Sequence, residues 1–271
     1  MNVLKLVFGF VFLCWLGIAV FFYFTQGSLL YQPPPVDSTA EAQLMSTLPG
    51  LQVFLVNTSD GKTLTGWFLP RQRGRALAPA LVYYGGNAED ASAFMSQAKQ
   101  YPDVSLVAVN YRGYGRSTGV PGERALMEDA LAVYDQATTA TGGQGLVMGR
   151  SLGAGLAVHV AADRPVLGAI LVSPYDSILN VARDHFPFLP VAWLLKDRFD
   201  VLDEAGRAEA PLLAITASQD GVIPEKRSQA LYDVWPGPKS SVSVLMAGHN
   251  DVDTYSSYTQ AIQAFIKEHA G

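Results

Sequence analysis

The stretch LVMGRSLGAG, residues 146–155, contains a serine between two glycines at the point where two apolar segments meet. The pattern Gly-x-Ser-x-Gly is typical of a nucleophile elbow, a strained turn that joins a strand to a helix and exposes the serine hydroxyl. Residues 146–148 end a short apolar run, whereas residues 152–162 are rich in alanine, leucine and valine and lack proline. These properties predict a strand before Ser151 and a helix after it, as the elbow requires.

A second stretch, GRSTG at residues 115–119, matches the same pattern and provides an internal comparison. The residues before it, NYRGY at 110–114, are typical of a loop, and VPG at 120–122 follows it directly. Because proline and glycine interrupt helices, Ser117 lacks the strand and the helix that an elbow needs. We therefore predict that Ser151 is the nucleophile and that Ser117 has a structural role.

Strand-like and helix-like segments alternate through most of the chain. Several apolar runs are nearly continuous, as in strands that are buried on both faces. The alternation predicts an α/β fold with a mainly parallel sheet and helices on both faces. A turn signal at Asp60-Gly61 predicts a preceding antiparallel hairpin within residues 51–70. The predicted strands are 80–84, 105–110, 145–148, 167–173, 212–216 and 242–246, and the predicted helices are 90–101, 123–140, 152–163, 225–235 and 254–269.

The N-terminal residues 6–24, LVFGFVFLCWLGIAVFFYF, form an uncharged run long enough to cross a bilayer as one helix. A cleaved signal peptide is the alternative, but bulky residues follow the run where a small-residue cleavage site would stand. We predict an anchor over 1–24, a proline-containing tether over 25–50 and one α/β domain over 51–271. Lys5 precedes the run, which favours a cytoplasmic N-terminus and a domain on the non-cytoplasmic, periplasmic or extracellular side.

The composition argues against several classes of function. The net charge is −5, and no basic cluster indicates nucleic-acid binding. The single cysteine, Cys14, lies inside the apolar run, so no disulfide framework is predicted. Histidines and cysteines show no metal-ligand spacing, and we therefore predict neither a metal ion nor an organic cofactor. Nothing in the sequence indicates an oligomeric state.

A serine nucleophile requires a general base, and His249 has the most suitable position for that role. It lies in AGHND, residues 247–251, after a predicted strand. In open α/β sheets, functional sites are built at this carboxyl edge of the strands. The other histidines, whose positions favour packing, pocket lining or solvent exposure, are His159, His185 and His269.

The base requires an orienting acid, and in elbow-type sites the chain order is serine, acid, histidine. Asp220 lies between Ser151 and His249, just beyond a predicted strand, within ASQDGVIP at 217–224. An aspartate before glycine is also common in ordinary turns, which is the alternative interpretation. Asp176 is the rival acid, because it also follows a predicted strand.

The negative charge that develops on an attacked carbonyl oxygen needs backbone N–H donors. In an elbow site one donor is the residue after the nucleophile, here Leu152. The second is expected in the loop after the third strand, YGGNA at 84–88, where we predict the amide of Asn87. An ordinary glycine turn into a helix is the alternative for this loop.

An insertion over residues 175–210 precedes the strand that leads to Asp220. It contains HFPFLPVAWLL at 185–195, and we predict that Phe186 and Trp193 belong to a short cap over an acyl-binding pocket. The alternative is that these side chains form the core of a short helical segment, since apolar spacing does not separate the two.

Together these motifs resemble serine hydrolases of the α/β-hydrolase superfamily, in particular its membrane-anchored branch of α/β-hydrolase-domain proteins. The resemblance covers nearly the whole chain after the predicted tether. It implies Ser151 as nucleophile, Asp220 as acid and His249 as base, with the amides of Asn87 and Leu152 as oxyanion hole. The matching segments are GGNAED (85–90), NYRGYGRSTGVPGE (110–123), GRSLGAG (149–155), ASQDGVIP (217–224) and GHND (248–251).

The resemblance implies a membrane-tethered esterase or thioesterase that works through an acyl-enzyme. The anchor favours lipid-like esters or acylated proteins as substrates. Two alternatives stay open: a serine peptidase acting on small peptides, and a binding or scaffold protein without turnover. The latter is favoured by Gly85, which stands where the family usually has histidine before the glycine of the oxyanion loop.

Overall fold

The elements of the chain follow the alternating order that the sequence predicts. The computed structural model describes residues 2–271. Its strands are β1 (Gln52–Asn57), β2 (Thr63–Leu69), β3 (Gln72–Arg73), β4 (Ala76–Leu77), β5 (Ala80–Tyr84), β6 (Ser105–Val109), β7 (Leu146–Arg150), β8 (Gly168–Val172), β9 (Leu212–Ala217) and β10 (Lys239–Val244). Its α-helices are α1 (Asn2–Leu30), α2 (Ser38–Thr47), α3 (Ala91–Met95), α4 (Glu123–Thr141), α5 (Leu152–Asp163), α6 (Ile178–His185), α7 (Val191–Leu194), α8 (Leu202–Ala205), α9 (Glu225–Val234) and α10 (Ser256–His269).

One sheet of eight strands has the order β1-β2-β6-β5-β7-β8-β9-β10. β1 and β2 pair antiparallel around the predicted turn, and β2 joins β6 antiparallel. The other neighbours pair parallel, which confirms the predicted mainly parallel sheet. The separate hairpin of β3 and β4 is not predicted, because strands of two residues carry no periodic signal.

The central strands are buried on both faces because helices cover both sides of the sheet. Val82 and Tyr84 of β5 belong to the core beneath α4 and α5. Leu81 and Tyr83, which alternate with them, belong to the core beneath α3 and α10. Since successive strand residues point to opposite faces, two buried faces produce the continuous apolar run ALVYY.

Most predicted helices agree with the structure to within two residues at each end. The exception is the helix predicted over 90–101, which is divided into α3 and a 3₁₀ turn at Ala98–Gln100. The interruption coincides with Ser96, whose hydroxyl donates a hydrogen bond to the carbonyl of Ala93 at 2.6 Å. Serine side chains compete in this way with the backbone bonds of a helix interior.

The N-terminal region contains more regular structure than its prolines indicate. α1 continues to Leu30, beyond the anchor boundary predicted at residue 24. An extended segment with the three prolines leads to α2, which Asp37 caps by accepting from the amides of Thr39 and Ala40. Leu44 of α2 is buried in the main core, so α2 is docked on the domain. By length and composition, residues Val3–Leu30 of α1 could cross a membrane.

The turn between β7 and α5 depends on close contacts that only glycine allows. Ser151 has φ 51°, a conformation that non-glycine residues rarely adopt. A Cβ on Gly149 would overlap the carbonyl oxygen of Gly153, and a Cβ on Gly153 would overlap that of Tyr84 at the end of β5. The first turn of α5 therefore packs directly on the carboxyl end of the sheet.

Replacement of Gly153 by alanine should destabilise the protein, because the new methyl group has no space next to β5. We expect Gly153→Ala to lower the free energy of unfolding by about 1–3 kcal/mol. Gly143→Ala is the matched control, since a Cβ there meets no atom within 4 Å. Denaturant unfolding in detergent measures both variants, and equal stability losses would contradict the role of this contact.

Candidate active site

Ser151 lies at the carboxyl end of β7, directly before α5. Its amide donates to the carbonyl of Val172 in the neighbouring strand β8 at 2.9 Å, which fixes the turn against the sheet. The serine side chain makes no N-cap hydrogen bond to α5, so its hydroxyl is directed elsewhere. The positive φ and this orientation are those of a nucleophile elbow.

Three side chains from different loops form one hydrogen-bonded chain at this edge. His249 Nε2 lies 3.0 Å from Ser151 Oγ, and His249 Nδ1 lies 2.8 Å from Asp220 Oδ2. Asp220 follows β9 and His249 follows β10, so parallel strands deliver both to the same edge. The side chains of the histidine and the aspartate are 11% and 6% exposed. The structure thus brings together the three residues that the sequence predicts.

The Asp220 carboxylate is held by several donors besides the histidine. Its Oδ1 accepts from the amides of Val222 and Ile223 at 2.9 and 2.8 Å, and its Oδ2 accepts from Ser173 Oγ at 2.8 Å. Burial by itself raises the pKa of Asp220, but the hydrogen bonds from His249 and the two amides outweigh it and hold this pKa below its usual value. The group is therefore prepared to stay ionised beside His249.

Ser173 is a part of the site that sequence reasoning missed. It follows β8 and has φ 46°, a second left-handed serine next to the elbow. Its amide donates to Ile215 of β9 at 2.7 Å while its hydroxyl donates to Asp220. The only sequence signal is its place after a predicted strand, which it shares with many residues.

The loop after β5 carries the predicted oxyanion residue Asn87, which lines the same cavity as Ser151 and Leu152. Within residues 2–271, neither the amide of Asn87 nor that of Leu152 donates to another protein group. The Asn87 carbonyl is fixed on the opposite side by the Tyr114 hydroxyl at 2.7 Å and the Gln32 amide at 3.1 Å. The loop after β5 is thus held by bonds that do not involve the N–H groups of Asn87 and Leu152.

Glu89 stabilises this loop in the space next to Gly85. Its Oε2 accepts from the Gly86 amide at 2.8 Å and from the Tyr83 hydroxyl at 2.6 Å. A Cβ on Gly85 would lie 2.9 Å from this oxygen, so a histidine there would displace the glutamate. Tyr111 adds a bond of 2.6 Å from its hydroxyl to the Gly85 carbonyl. The loop therefore has its own brace in place of the family's histidine.

Arg150, the residue before Ser151, links this brace to the loop that carries His249. Its Nη1 donates to Glu89 Oε1 at 2.7 Å, and its Nη2 donates to the carbonyl of His249 at 3.1 Å. The planar guanidinium suits such a bridge because it presents several donors in a fixed geometry. Sequence reasoning missed this contact, since Glu89 and Arg150 lie 61 residues apart.

Comparisons with known proteins agree with this architecture. An esterase from Pyrococcus furiosus superposes with a TM-score of 0.71 at 16% identity, covering 89% of this chain and 98% of that chain. An acetyl xylan esterase from Paenibacillus sp. R4 gives a TM-score of 0.62 at 19% identity, covering 90% of this chain and 99% of that one. At such identities the likeness concerns the fold.

Sequence relatives extend the comparison. The uncharacterized protein Rv2307c of Mycobacterium tuberculosis is 33% identical over 267 residues, which cover 94% of this chain and 92% of that protein. The human alpha/beta hydrolase domain-containing protein 17B is 28% identical over 224 residues, which cover 80% of this chain and 76% of that protein. The chain belongs to the α/β-hydrolase superfamily. No family model matches it.

The alternative candidates for the acid, the nucleophile and the base have other partners in this α/β-hydrolase. Asp176 accepts from the Asn180 side chain at 2.8 Å and from Arg227 at 3.1 Å. Ser117 is buried, donates to the Asn110 carbonyl at 2.8 Å and accepts from the Thr65 amide at the same distance. Among the other histidines, His159 contacts Glu204, His269 packs on Phe265, and His185 lies beside the Val222 carbonyl and lines the cavity.

A cavity of about 600 Å³ extends from Ser151 and is lined mainly by apolar side chains. The cap contributes Phe186, as predicted from the sequence, together with Ile178 and Leu189. Trp193 belongs to the cap, but its prediction as a pocket residue is wrong, because the side chain is 87% exposed and does not line the cavity. α7 has only four residues, and its buried side is occupied by Val191.

The end of α1 forms part of the same cavity wall, which the sequence analysis does not predict. Phe22, Gln26, Leu29 and Leu30 line it together with the residues of the cap. No group of three or more His, Cys, Asp or Glu side chains suited to a metal ion is present in the described chain, residues 2–271. The absence of a metal or organic cofactor from the reaction stays a prediction.

The contacts of Arg150 with Glu89 and with the His249 carbonyl allow a test of whether Arg150 positions His249. Arg150→Lys keeps the charge but removes the fork that holds Glu89 and His249 together. Because small displacements of catalytic groups are costly, we expect kcat for a soluble ester to fall about 10²-fold with little change in KM.

Arg124→Lys is the matched control, since Arg124 forms an exposed pair with Glu128 on α4. Thermal unfolding should be measured beside the kinetics of both variants. Unchanged kcat in Arg150→Lys, or a loss fully explained by unfolding, would contradict a positioning role.

Proposed function

We propose that this α/β-hydrolase is a membrane-tethered serine hydrolase that cleaves carboxylic ester or thioester bonds. The observation that carries the proposal is the continuous chain of hydrogen-bond distances from Asp220 through His249 to Ser151. The esterases among the structural neighbours support the same reaction class by their names.

The first half of the reaction forms an acyl-enzyme. Ser151 Oγ attacks the acyl carbon while His249 Nε2 accepts the hydroxyl proton, and Asp220 stabilises the resulting imidazolium. The amides of Leu152 and Asn87 donate to the oxyanion of the tetrahedral intermediate. When the intermediate collapses, the bond to the alcohol or thiol breaks, and His249 delivers its proton to that leaving group.

The second half returns the enzyme to its starting state. Water takes the place of the leaving group and loses a proton to His249 as it attacks the acyl carbon. Collapse of the second intermediate releases the carboxylic acid, and the proton returns to Ser151 Oγ. No electron donor or acceptor is needed for either half.

The membrane part of the proposal rests on α1. Val3–Leu30 is long and apolar enough to span a bilayer, and Lys5 near its start favours a cytoplasmic N-terminus. The catalytic domain then lies on the non-cytoplasmic side. In spheroplasts, from which any outer membrane has been removed, an impermeant protease added outside should degrade the domain, and complete protection would contradict this orientation.

The nucleophile assignment makes a direct prediction. A fluorophosphonate probe should label the detergent-solubilised full chain, and Ser151→Ala should abolish both labelling and ester turnover. Ser117→Ala is the matched control, because Ser117 fits the same sequence pattern but its hydroxyl bonds to the backbone of Thr65 and Asn110. Labelling that persists in Ser151→Ala and disappears in Ser117→Ala would overturn the assignment.

The pH profile makes a second prediction. The rate should fall in acid, because a general base has to be unprotonated to accept the serine proton. Asp220 should add no second ionisation in the ordinary carboxyl range, because its lowered pKa moves its protonation below the usual carboxyl value of about 3.9. Two resolved ionisations on the acid side of the kcat/KM profile would contradict this.

The role of Asp220 as the orienting acid can be tested by substitution as well. Asp220→Asn should lower kcat about 10⁴-fold, because the amide no longer holds the histidine in the required tautomer. Asp233→Asn on the exposed side of α9 serves as the control. Equal activity of the two variants would exclude Asp220 as the orienting acid.

A further inference from the structure

The wall that α1 contributes to the cavity follows from a single stripe of the helix. Trp15, Ala19, Phe22, Gln26 and Leu30 recur at spacings of three or four residues, so they share one face. Apart from Thr25, these five are the only buried or half-buried positions between Val3 and Leu30 of α1. α1 is therefore docked along the domain over several turns.

The docking partner of this stripe is the cap. Trp15 Nε1 donates to the Phe188 carbonyl at 2.9 Å, and Gln26 Nε2 donates to the Leu194 carbonyl at 3.0 Å. The Lys196 amide donates back to Gln26 Oε1 at 2.7 Å. Between these polar contacts, Ala19 packs in a cluster with cap leucines and Val191. The cap thus contacts α1 from Trp15 to Gln26.

This contact has a consequence for the depth of the cap. The apolar run starts after Lys5, and its part before Trp15, residues 6–14, spans about 14 Å as a helix, much less than a hydrocarbon core of about 30 Å. A span of about 20 residues that begins at Leu6, just after Lys5, ends near Thr25. The helix positions that contact the cap, Trp15 to Phe22, consequently lie inside the hydrocarbon.

The sequence of the cap fits such an environment. Residues 186–195, FPFLPVAWLL, contain no charge and lie between His185 and Lys196. An apolar run of this length is typical of an interfacial segment. Phe188 and Trp193 are 61% and 87% exposed, although both are large and apolar. Lys196 marks the polar end, with its ammonium group 4.6 Å from the ring centroid of Tyr23.

We propose that the cap segment 186–195 inserts into the membrane beside α1, and that the cavity takes one long acyl chain of a membrane lipid ester directly from the bilayer. This inference rests on the proposed function and specifies its substrate class. Phe22 of α1 and Phe186 of the cap stand at the shared wall, with ring centroids 5.1 Å apart. The chain enters between the elements that face the hydrocarbon, and its carbonyl reaches Ser151 at the inner end.

Entry of the acyl chain directly from the bilayer also explains the exposed side chains of the cap. In water, an exposed phenylalanine and tryptophan on one short segment would be an unfavourable patch, but in a leaflet they bury apolar area. A cavity of about 600 Å³ is in the size range of ligand pockets and is mainly apolar. Such a cavity suits a single chain that never has to cross water.

The membrane contact can be separated from catalysis. Full-length protein is reconstituted in phosphatidylcholine vesicles and assayed with p-nitrophenyl palmitate held in the bilayer and p-nitrophenyl butyrate in the water. The double substitution Phe188→Asp and Trp193→Asp should lower palmitate turnover tenfold or more, because a charged side chain is costly to place in the hydrocarbon of a membrane. Butyrate turnover should change less than about twofold, since neither side chain lines the cavity.

Leu55→Asp is the matched control, because Leu55 is exposed on β1 at the edge of the sheet. Unchanged palmitate turnover in the double variant would overturn the proposal, as would parallel losses on both esters in protein that still labels at Ser151. Failure of the proposed function gives a different result: the unsubstituted protein would neither label nor hydrolyse butyrate.

The wall made by α1 is tested by chain-length selectivity. Leu30→Trp places a larger group in the cavity and should shift the ratio of palmitate to butyrate turnover about tenfold toward butyrate, since each lost CH₂ contact is worth roughly fourfold. Phe24→Trp is the control on the exposed side of α1 and should leave this ratio unchanged. An unchanged ratio in Leu30→Trp would show that the acyl chain lies elsewhere.

Discussion

The first turn of α5 lies so close to the end of β5 that only glycine fits at position 153, and the arrangement of Ser151 and His249 depends on this contact. It lets Ser151 take a left-handed conformation and present its hydroxyl to His249 at the edge of the sheet. It also brings the amide of Leu152 next to the loop that follows β5. Such backbone strain costs about 1–3 kcal/mol and persists only where surrounding bonds hold it, as the bond from the Ser151 amide to β8 does.

Charged side chains then connect the loops that this contact gathers. The Asp220 carboxylate is satisfied by the histidine, a serine and two amides, which keeps it ionised in spite of burial. The pair of Arg150 and Glu89 ties the loop after β5 to the elbow and to the carbonyl of His249. Hydrogen-bonded networks of this kind favour a single geometry of the loops that they connect.

The cap and α1 contribute a different property, the environment in which a substrate arrives. The stripe of α1 packs against the uncharged segment 186–195 of the cap, although the two lie far apart in the chain. Trp15 bonds to Phe188 across 173 positions. Together the two elements enclose an apolar space that ends at Ser151. The helix that is long and apolar enough to cross a membrane thus also forms a wall of this cavity. On the proposal of membrane insertion, this arrangement would couple location and selectivity, because a substrate that fits the cavity would already lie beside α1.

The sequence by itself determined the parallel sheet, the hairpin at Asp60-Gly61 and the three side chains that meet at the elbow. Buried strands read as continuous apolar runs, and parallel strands carry their following residues to one edge, so chain order sufficed for Ser151, Asp220 and His249. Only the tertiary structure decided that Arg150 binds Glu89, that α1 lines the cavity and that Trp193 is exposed. These features depend on which distant segments pack together, and local periodicity describes only the face that a residue occupies, never the segment that it meets.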